Sequence, residues 1–467
     1  MKKAGWIFLL GCVLAVGLAA QNAPFLLQGV TQSFVHGCPG VDTDIVLYKI
    51  DGAGNKQWRK NFGGTNPDYS FDCLQTPDGG FLIYGYSLSF VHGTPGIDRD
   101  GLVYRLDADG KKLWRRNIGG PRADTFNYAA ETTDGGYVFF GETQSTVHGP
   151  YGLDSDILVV KMDASGTTLW QKNLGGTYPE LSQFGIGCAN GDILVLGHTS
   201  SYVHGTPGVD TDFLVYRLDP AGNKLWRKNF GGAYMDQPIY LFEDSVGHIF
   251  ASGMSQSFVT GTPGSDLDIL VYKLDANGNK QWRKHYGGSY LDSGYAMLGD
   301  SGAIYIRANT LSFVHGVPGA DTDFLDYRID GTGAKQWRKN LGGTYPEGLG
   351  YVYECEGAYL VTGISGSFVH GAPGSDRDLV IYRLDAGLNK QWRRNYGGTY
   401  TERGGQLILL DDGDLLLAGE TQSYVGGVPG SDWDMLIYRL DPRGLKRWRK
   451  HFGGFYSEDF YRVHMIE

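Results

Sequence analysis

The chain has 467 residues, of which 41% are hydrophobic and 20% charged, as in an ordinary globular protein. Its formal net charge of −10 and the lack of a basic block argue against a nucleic acid partner, because phosphate backbones are captured by clustered lysine and arginine. The 72 glycines lack the every-third spacing of collagen and indicate many turns.

The N-terminus has the pattern of an export signal. Lys2 and Lys3 precede an apolar run that ends in small residues before Gln21, so we predict a secretory signal peptide over residues 1–20. In an alternative interpretation the "LLGC" stretch is a lipobox, and Cys12 carries a lipid anchor. No other segment approaches the ~20 apolar residues of a membrane helix, so we expect no transmembrane span. The expected location is secreted, periplasmic or on the cell surface.

Residues 21–467 form one array of repeats, which we interpret as a single domain. A fixed period of this size indicates a repeat architecture. Tryptophans spaced by 55 or 56 residues mark eight copies: Trp58, Trp114, Trp170, Trp226, Trp282, Trp337, Trp392 and Trp448.

Each copy contains four short β-rich runs. Residues 124–145 carry two runs around an Asp-Gly-Gly turn, and residues 156–176 carry two more around Ala-Ser-Gly. Four antiparallel strands without helical periodicity are typical of a propeller blade, whose strands we label a to d from the inside outward. Residues 25–64 and 456–467 together complete one copy. We therefore predict an all-β, eight-bladed β-propeller of four-stranded antiparallel blades, in which the N- and C-terminal strands share one blade.

Two aspartates separated by one residue precede strand c in every copy. Carboxylates on a loop could bind Ca²⁺, which takes six to eight oxygen ligands. Alternatively, they accept backbone N–H hydrogen bonds and fix the turn, which we favour because every copy repeats them. The candidate metal ligands are Asp42, Asp44, Asp98, Asp100, Asp154, Asp156, Asp210, Asp212, Asp266, Asp268, Asp321, Asp323, Asp376, Asp378, Asp432 and Asp434.

An acidic residue follows each tryptophan by ten positions, at the start of strand a. Eight carboxylates around one axis would attract cations and raise one another's pKa. Alternatively, each caps the Gly-Gly turn that precedes it. These candidate binding residues are Asp68, Asp124, Glu180, Asp236, Asp292, Glu347, Glu402 and Glu458.

Tyrosine and histidine recur in the same loops. Exposed tyrosines beside acids make a platform for a sugar or a peptide, because rings stack and hydroxyls form hydrogen bonds. The histidines either bond their own loop or bind metal. Two copies replace histidine by Thr260 and Gly426, and two replace tyrosine by Asn66 and Arg122. The candidates are Tyr178, Tyr234, Tyr290, Tyr345, Tyr400 and Tyr456, with His36, His92, His148, His204, His315 and His370.

The segments "YRLDPAGNKLWRKNFGG" and "TTDGGYVFFGETQS" resemble the repeats of bacterial secreted β-propellers. That resemblance covers nearly all of the chain after the signal peptide, and it implies export and a binding or surface role. The "LDA.G...W" part is also similar to the repeats of pyrroloquinoline-quinone propellers. Those enzymes carry long insertions that build the cofactor and calcium site, whereas the copies here have even lengths without insertions.

No common catalytic or phosphate-binding motif is present, which favours a non-enzymatic role. Cys38, Cys73, Cys188 and Cys355 form no CxxC pair, and we interpret them as incidental small hydrophobic residues. We expect a monomeric binding or scaffold module that presents an acidic, Tyr- and His-bearing face to a glycan, a peptide or a cell-surface protein, with Ca²⁺ as the one candidate cofactor. The alternatives are a hydrolase or lyase acting in the central channel, and a purely structural surface protein.

Overall fold

The computed structural model describes residues 23–150, 154–299, 302–348, 350–355 and 357–466. The predicted signal peptide and Cys12 lie outside the described residues. Within the described ranges, no helix is long and apolar enough to cross a membrane. The strands form eight antiparallel sheets, so the prediction of an all-β, eight-bladed propeller is confirmed.

The first four blades take their strands from the N-terminal half of the chain. Blade 1 contains β1 (Phe25–Thr31), β2 (Asp44–Ile50) and β3 (Lys56–Phe62); blade 2 contains β4 (Asp68–Gln75), β5 (Phe81–Ser87), β6 (Asp100–Leu106) and β7 (Lys112–Ile118); blade 3 contains β8 (Asp124–Glu131), β9 (Tyr137–Thr143), β10 (Asp156–Met162) and β11 (Thr168–Leu174); and blade 4 contains β12 (Glu180–Gly187), β13 (Ile193–Thr199), β14 (Asp212–Leu218) and β15 (Lys224–Phe230).

The remaining blades follow in chain order, and the last strand returns to blade 1. Blade 5 contains β16 (Asp236–Glu243), β17 (Ile249–Ser255), β18 (Asp268–Leu274) and β19 (Lys280–Tyr286); blade 6 contains β20 (Asp292–Leu298), β21 (Ile304–Thr310), β22 (Asp323–Ile329) and β23 (Lys335–Leu341); blade 7 contains β24 (Glu347–Gly348), β25 (Val352–Cys355), β26 (Ala358–Ser365), β27 (Asp378–Asp385) and β28 (Lys390–Tyr396); blade 8 contains β29 (Glu402–Leu409), β30 (Leu415–Thr421), β31 (Asp434–Leu440) and β32 (Lys446–Phe452); and β33 (Glu458–Met465) is the inner strand of blade 1.

The shared blade is formed as predicted. Strand β33 pairs antiparallel with β1, from Thr31 opposite Glu458 to Phe25 opposite Met465. The Thr31 hydroxyl also donates a hydrogen bond of 2.8 Å to Glu458 Oε1. The two ends of the chain therefore join the ring to itself.

The core lies between neighbouring blades, because each blade packs face to face on the next. Strands b and c are accordingly continuous apolar runs; Ile157, Leu158 and Val159 of β10 have no solvent exposure. The outer strands are the exposed edges. Seven of these tryptophans lie against a glycine in the c–d turn of the following blade, and Trp226 Nε1 donates a 3.2 Å hydrogen bond to the Ala276 carbonyl there.

The pairing of strands a and b differs between blades, and the difference accounts for the shorter copy in blade 6. In six blades a β-bulge interrupts the pairing of strands a and b, for example between Ser70 and Asp72. The bulge lies opposite a glycine: a Cβ on Gly85 would come within 2.0 Å of the Tyr69 carbonyl oxygen. Blade 6 has Ala308 at that position and pairs without a register shift. Its copy is one residue shorter because it lacks the bulged residue.

Candidate functional site: the loop face

The b–c and d–a loops lie on one face of the ring, which we call the loop face. The two loops of each blade are tied together. In blade 1, Ser33 Oγ donates a 2.8 Å hydrogen bond to the Tyr456 carbonyl, and the Tyr456 N–H donates one of 2.9 Å to Ser33 Oγ. The b–c and d–a loops that carry the candidate residues are therefore in direct contact.

The Asp-x-Asp pairs fix the conformation of the b–c loops by accepting hydrogen bonds from the loop backbone. In blade 1, Asp42 Oδ2 accepts a 3.0 Å hydrogen bond from the Gly37 N–H, and Asp42 Oδ1 accepts one of 2.9 Å from the Thr43 N–H. Asp44 Oδ2 accepts a 3.0 Å hydrogen bond from the His36 N–H and contacts His36 Nδ1. The second aspartate of every pair has no solvent exposure. These contacts support the turn-fixing role, while Ca²⁺ binding stays a prediction.

The acid at the start of strand a meets the second aspartate of the preceding blade. Asp68 Oδ2 accepts hydrogen bonds from the Gly64 N–H (2.7 Å) and Ser89 Oγ (2.8 Å). A Cβ on Gly63 would come 2.0 Å from Asp44 Oδ1 and 2.9 Å from Asp68 Oδ2, so the two carboxyl groups face each other across that glycine. The sequence placed these acids at the start of strand a, around one axis; the structure buries them there, where two blades meet.

Eight such acid pairs lie in the ring: Asp44/Asp68, Asp100/Asp124, Asp156/Glu180, Asp212/Asp236, Asp268/Asp292, Asp323/Glu347, Asp378/Glu402 and Asp434/Glu458. Burial raises the pKa of Asp434 to about 8, and the charge of Glu458 adds to the effect. Burial likewise raises the pKa of Glu402 to about 8 and that of Asp236 to about 6. The Asp434/Glu458 and Asp378/Glu402 pairs therefore retain a proton near neutral pH, because two adjacent buried carboxylates repel each other when both are ionised.

Aromatic and imidazole groups, rather than carboxylates, reach the solvent on the loop face. The six candidate tyrosines are 42–47% exposed, and the six histidine side chains are about half exposed. Each tyrosine ring lies against a loop glycine of its own blade: a Cβ on Gly208 would come 2.6 Å from Tyr178 Cε1. Apolar loop tips are exposed as well, with Val209 at 82%. Each tyrosine ring is therefore packed against its loop on one side and exposed to solvent on the other.

A second repeated contact supports this face, and the sequence analysis missed it. In seven blades the arginine after the tryptophan stacks on an aromatic ring of the b–c loop, at 3.4–4.2 Å from the ring centroid. The pairs are Arg59/Phe34, Arg115/Phe90, Arg227/Tyr202, Arg283/Phe258, Arg338/Phe313, Arg393/Phe368 and Arg449/Tyr424. The signal was available: blade 3 has Thr146 and Gln171 at these two positions, so both partners change together.

The inner strands carry a polar cluster that the sequence analysis also missed. Arg462 Nε lies 3.4 Å from Asp72 Oδ2, and His464 Nε2 lies 3.1 Å from Asp72 Oδ1. Burial by itself would lower the pKa of His464, but Cys73 and Asp72 more than offset this and raise it to about 10. Cys73 is buried and, like the three other described cysteines, forms no disulfide.

No family model matches the chain. The regulatory protein FlaEY of Caulobacter vibrioides is 25% identical over 241 residues, which cover 46% of this chain and 24% of that protein. The chain therefore spans about a quarter of the length of the curated relative it matches.

Among solved structures, a eukaryotic initiation factor is 9% identical with a TM-score of 0.46, covering 94% of this chain and 98% of its own. Sqt1 from Chaetomium thermophilum is 12% identical with a TM-score of 0.46, covering 89% and 94%. An apocarotenoid oxygenase mutant from Synechocystis is 11% identical with a TM-score of 0.38, covering 94% and 92%. These likenesses carry no argument about function, and the fold rests on the strand topology described above.

Proposed function

We propose that this protein is an exported binding module whose loop face holds the partner, a glycan, a peptide or a cell-surface protein. One observation carries the proposal: six tyrosines, each nearly half exposed, recur on a single face at equivalent positions of six blades. Because every ring rests on a loop glycine, little side-chain entropy is lost when a ligand stacks on it. Similar sites at regular spacing favour a ligand with repeated units, which several sites engage at once.

The experiment compares two triple variants of residues 21–467 in a glycan and peptide binding screen. The test variant carries Tyr178→Asn, Tyr234→Asn and Tyr290→Asn, since blade 2 already has Asn66 at this position. The control carries Leu113→Asn, Leu169→Asn and Leu225→Asn, which replace residues that are 53–54% exposed on outer strands. We expect the tyrosine variant to lose at least tenfold in affinity, because each lost stacking contact costs about 1 kcal/mol. Equal losses in both variants, or no loss in the tyrosine variant, would contradict the proposal.

Dependence on Ca²⁺ is a separate proposal for the same face. Calorimetric titration with Ca²⁺, with melting temperatures measured with and without chelator, tests it directly. Several bound equivalents and a higher melting temperature would assign the aspartate loops as metal sites. The absence of heat and of any shift would leave the aspartates as turn caps only.

A hydrolase or lyase in the central channel is the second candidate. The cluster of Asp72, Arg462 and His464 favours it, because polar side chains gather there at one place on the inner strands. Turnover that survives the tyrosine variant and is lost in Asp72→Asn would support this candidate. If the protein is purely structural, neither ligand binding nor turnover is expected.

A further inference from the structure

Three metal-ligating side chains converge on the inner surface where blades 1 and 2 meet. Asp72 and Cys73 are consecutive residues of β4, and His464 belongs to β33 of the neighbouring blade. One ligand atom from each residue lies within 4.8 Å of the other two. A single ion can therefore reach all three side chains after small shifts.

The fold does not need these residues there, as the other copies show. The position of Cys73 is Ala129 in blade 3, and the position of His464 is Leu74 in blade 2. The position of Asp72 is Tyr128 in blade 3. Apolar and aromatic side chains thus occupy the equivalent positions elsewhere in the ring. The three metal-ligating replacements occur in two adjacent blades and meet in space.

We propose that Asp72, Cys73 and His464 bind a zinc-class divalent transition metal ion. A thiolate, an imidazole and a carboxylate are the ligand types that Zn²⁺ takes in proteins, whereas Ca²⁺ and Mg²⁺ require oxygen ligands throughout. The thiolate and carboxylate charges balance the double charge of the ion. Asp72 and His464 retain 17% and 24% of their side-chain exposure, which leaves the fourth tetrahedral position open to water or an exogenous ligand.

The surrounding contacts orient the ligands. The Cys73 N–H donates a 2.8 Å hydrogen bond to Asp72 Oδ1, and Arg462 holds the other carboxylate oxygen. Arg462 Nη1 in turn donates a 3.3 Å hydrogen bond to the Tyr351 hydroxyl. Outer contacts of this kind fix the carboxylate of a metal site. His464 Nε2 lies 3.1 Å from Asp72 Oδ1, so the imidazole faces the same space as the Asp72 carboxylate and the Cys73 thiol.

The test is a titration with Co²⁺ and Zn²⁺ in a Cys38→Ser background, which removes the exposed thiol. We expect one equivalent of Co²⁺ to produce a thiolate-to-metal charge-transfer absorption, and Zn²⁺ to displace it. Cys73→Ala and His464→Leu use residues that the repeat already has at these positions, so both should fold. Each should weaken binding by more than roughly 100-fold, because the loss of an outer partner alone costs about 10–100-fold.

The matched control is Cys188→Ala, which removes a buried thiol in blade 4 and should leave the absorption unchanged. Absence of the charge-transfer band in the parent protein overturns the proposal. A band that persists in folded Cys73→Ala, as judged by circular dichroism, also overturns it by placing the metal elsewhere. Because the site is on the inner strands, its outcome is independent of ligand binding by the loop face.

Discussion

The loop face and the inner strands use the repeat in opposite ways. On the loop face, the same aspartates recur in all eight blades, and their oxygens accept hydrogen bonds from the loop backbone, as Asp42 does from Gly37 and Thr43. On the inner strands, equivalent positions change from Asp72 to Tyr128 to Phe184. Exact repetition in this ring marks what the fold needs. Departures from it mark positions where side chains are free to serve another purpose.

Replacing a repeated aspartate should have the largest effect. Asp212→Ala removes the acceptor of the His204 N–H and of its imidazole, and leaves these partly buried donors without their partner. We expect a loss of roughly 2–4 kcal/mol in the free energy of unfolding, measured by urea denaturation. His464→Leu on the inner strands removes one cation from Asp72 but leaves Arg462 beside that carboxylate, so it should cost less than Asp212→Ala in metal-free buffer. A comparable loss in both variants would remove the contrast between the two regions.

The acid pairs should make stability fall as the pH rises from 6 to 8. The folded-state pKa of Asp434 and Glu402, about 8, exceeds the unfolded value near 4, so the folded protein holds more protons in between. Their stabilising contribution is complete below about pH 4 and is lost as the pH rises through 8. The lowered pKa of His198 acts in the opposite direction, mainly below pH 6.5.

The measurement is the melting temperature at several pH values for the parent protein, Asp434→Asn and Asp109→Asn. Asp434→Asn should flatten the dependence between pH 6 and 8, because it removes one titrating partner of Glu458. Asp109 is exposed, so its replacement should leave the slope unchanged. A melting temperature that rises with pH in this window would contradict the assignment of shared protons.

The arginine–aromatic contact should contribute a moderate amount. In blade 5, a double-mutant cycle of Arg283→Gln and Phe258→Thr reproduces the pair found in blade 3. We expect a coupling energy of about 0.5–1 kcal/mol, because the guanidinium lies 3.5 Å from the ring centroid. Strictly additive single effects would show that the stacking contributes nothing beyond each residue alone.

The smallest expected effect is an increase in stability. Leu388 occupies the c–d turn of blade 7 with φ of +64°, where blade 5 has Gly278 with φ of +75°. Leu388→Gly should raise the free energy of unfolding by up to about 1 kcal/mol, reduced by lost packing against the core. The reverse change, Gly278→Leu, should destabilise the protein, since a Cβ there would come 2.9 Å from Lys228 Cγ. A lower free energy of unfolding in Leu388→Gly, or a higher one in Gly278→Leu, would contradict this account.

The repeat made the fold predictable. Tryptophan spacing, the Asp-Gly-Gly turns and the split copy at the two ends were enough to predict the blade number, the strand count and the shared blade. The sequence predicted an acidic face that bears tyrosine and histidine; the structure exposes the tyrosines and histidines there but buries the acids. The sequence could not show whether the aspartates are exposed or buried, because the same pattern fits an exposed metal-binding loop and a buried turn cap.

The inner-strand cluster could not be found from the pattern, because Asp72 and His464 lie at opposite ends of the chain. Only the closure of blade 1 by β33 brings them within 3.1 Å. Cys73 alone resembled a small buried residue. The departures from the repeat at these three positions were visible, but their meeting in space required the pairing of β1 with β33.

The pairing of β1 with β33 also has a consequence for how the ring is completed during folding. Thr31 and Glu458 are 427 positions apart, so the chain must close a very long loop before blade 1 has its inner strand. Until then, β1 and blade 8 each present an uncovered surface, and a second unfinished chain offers the same strand. We therefore expect the final step of folding to be slow and to compete with exchange of β33 between molecules.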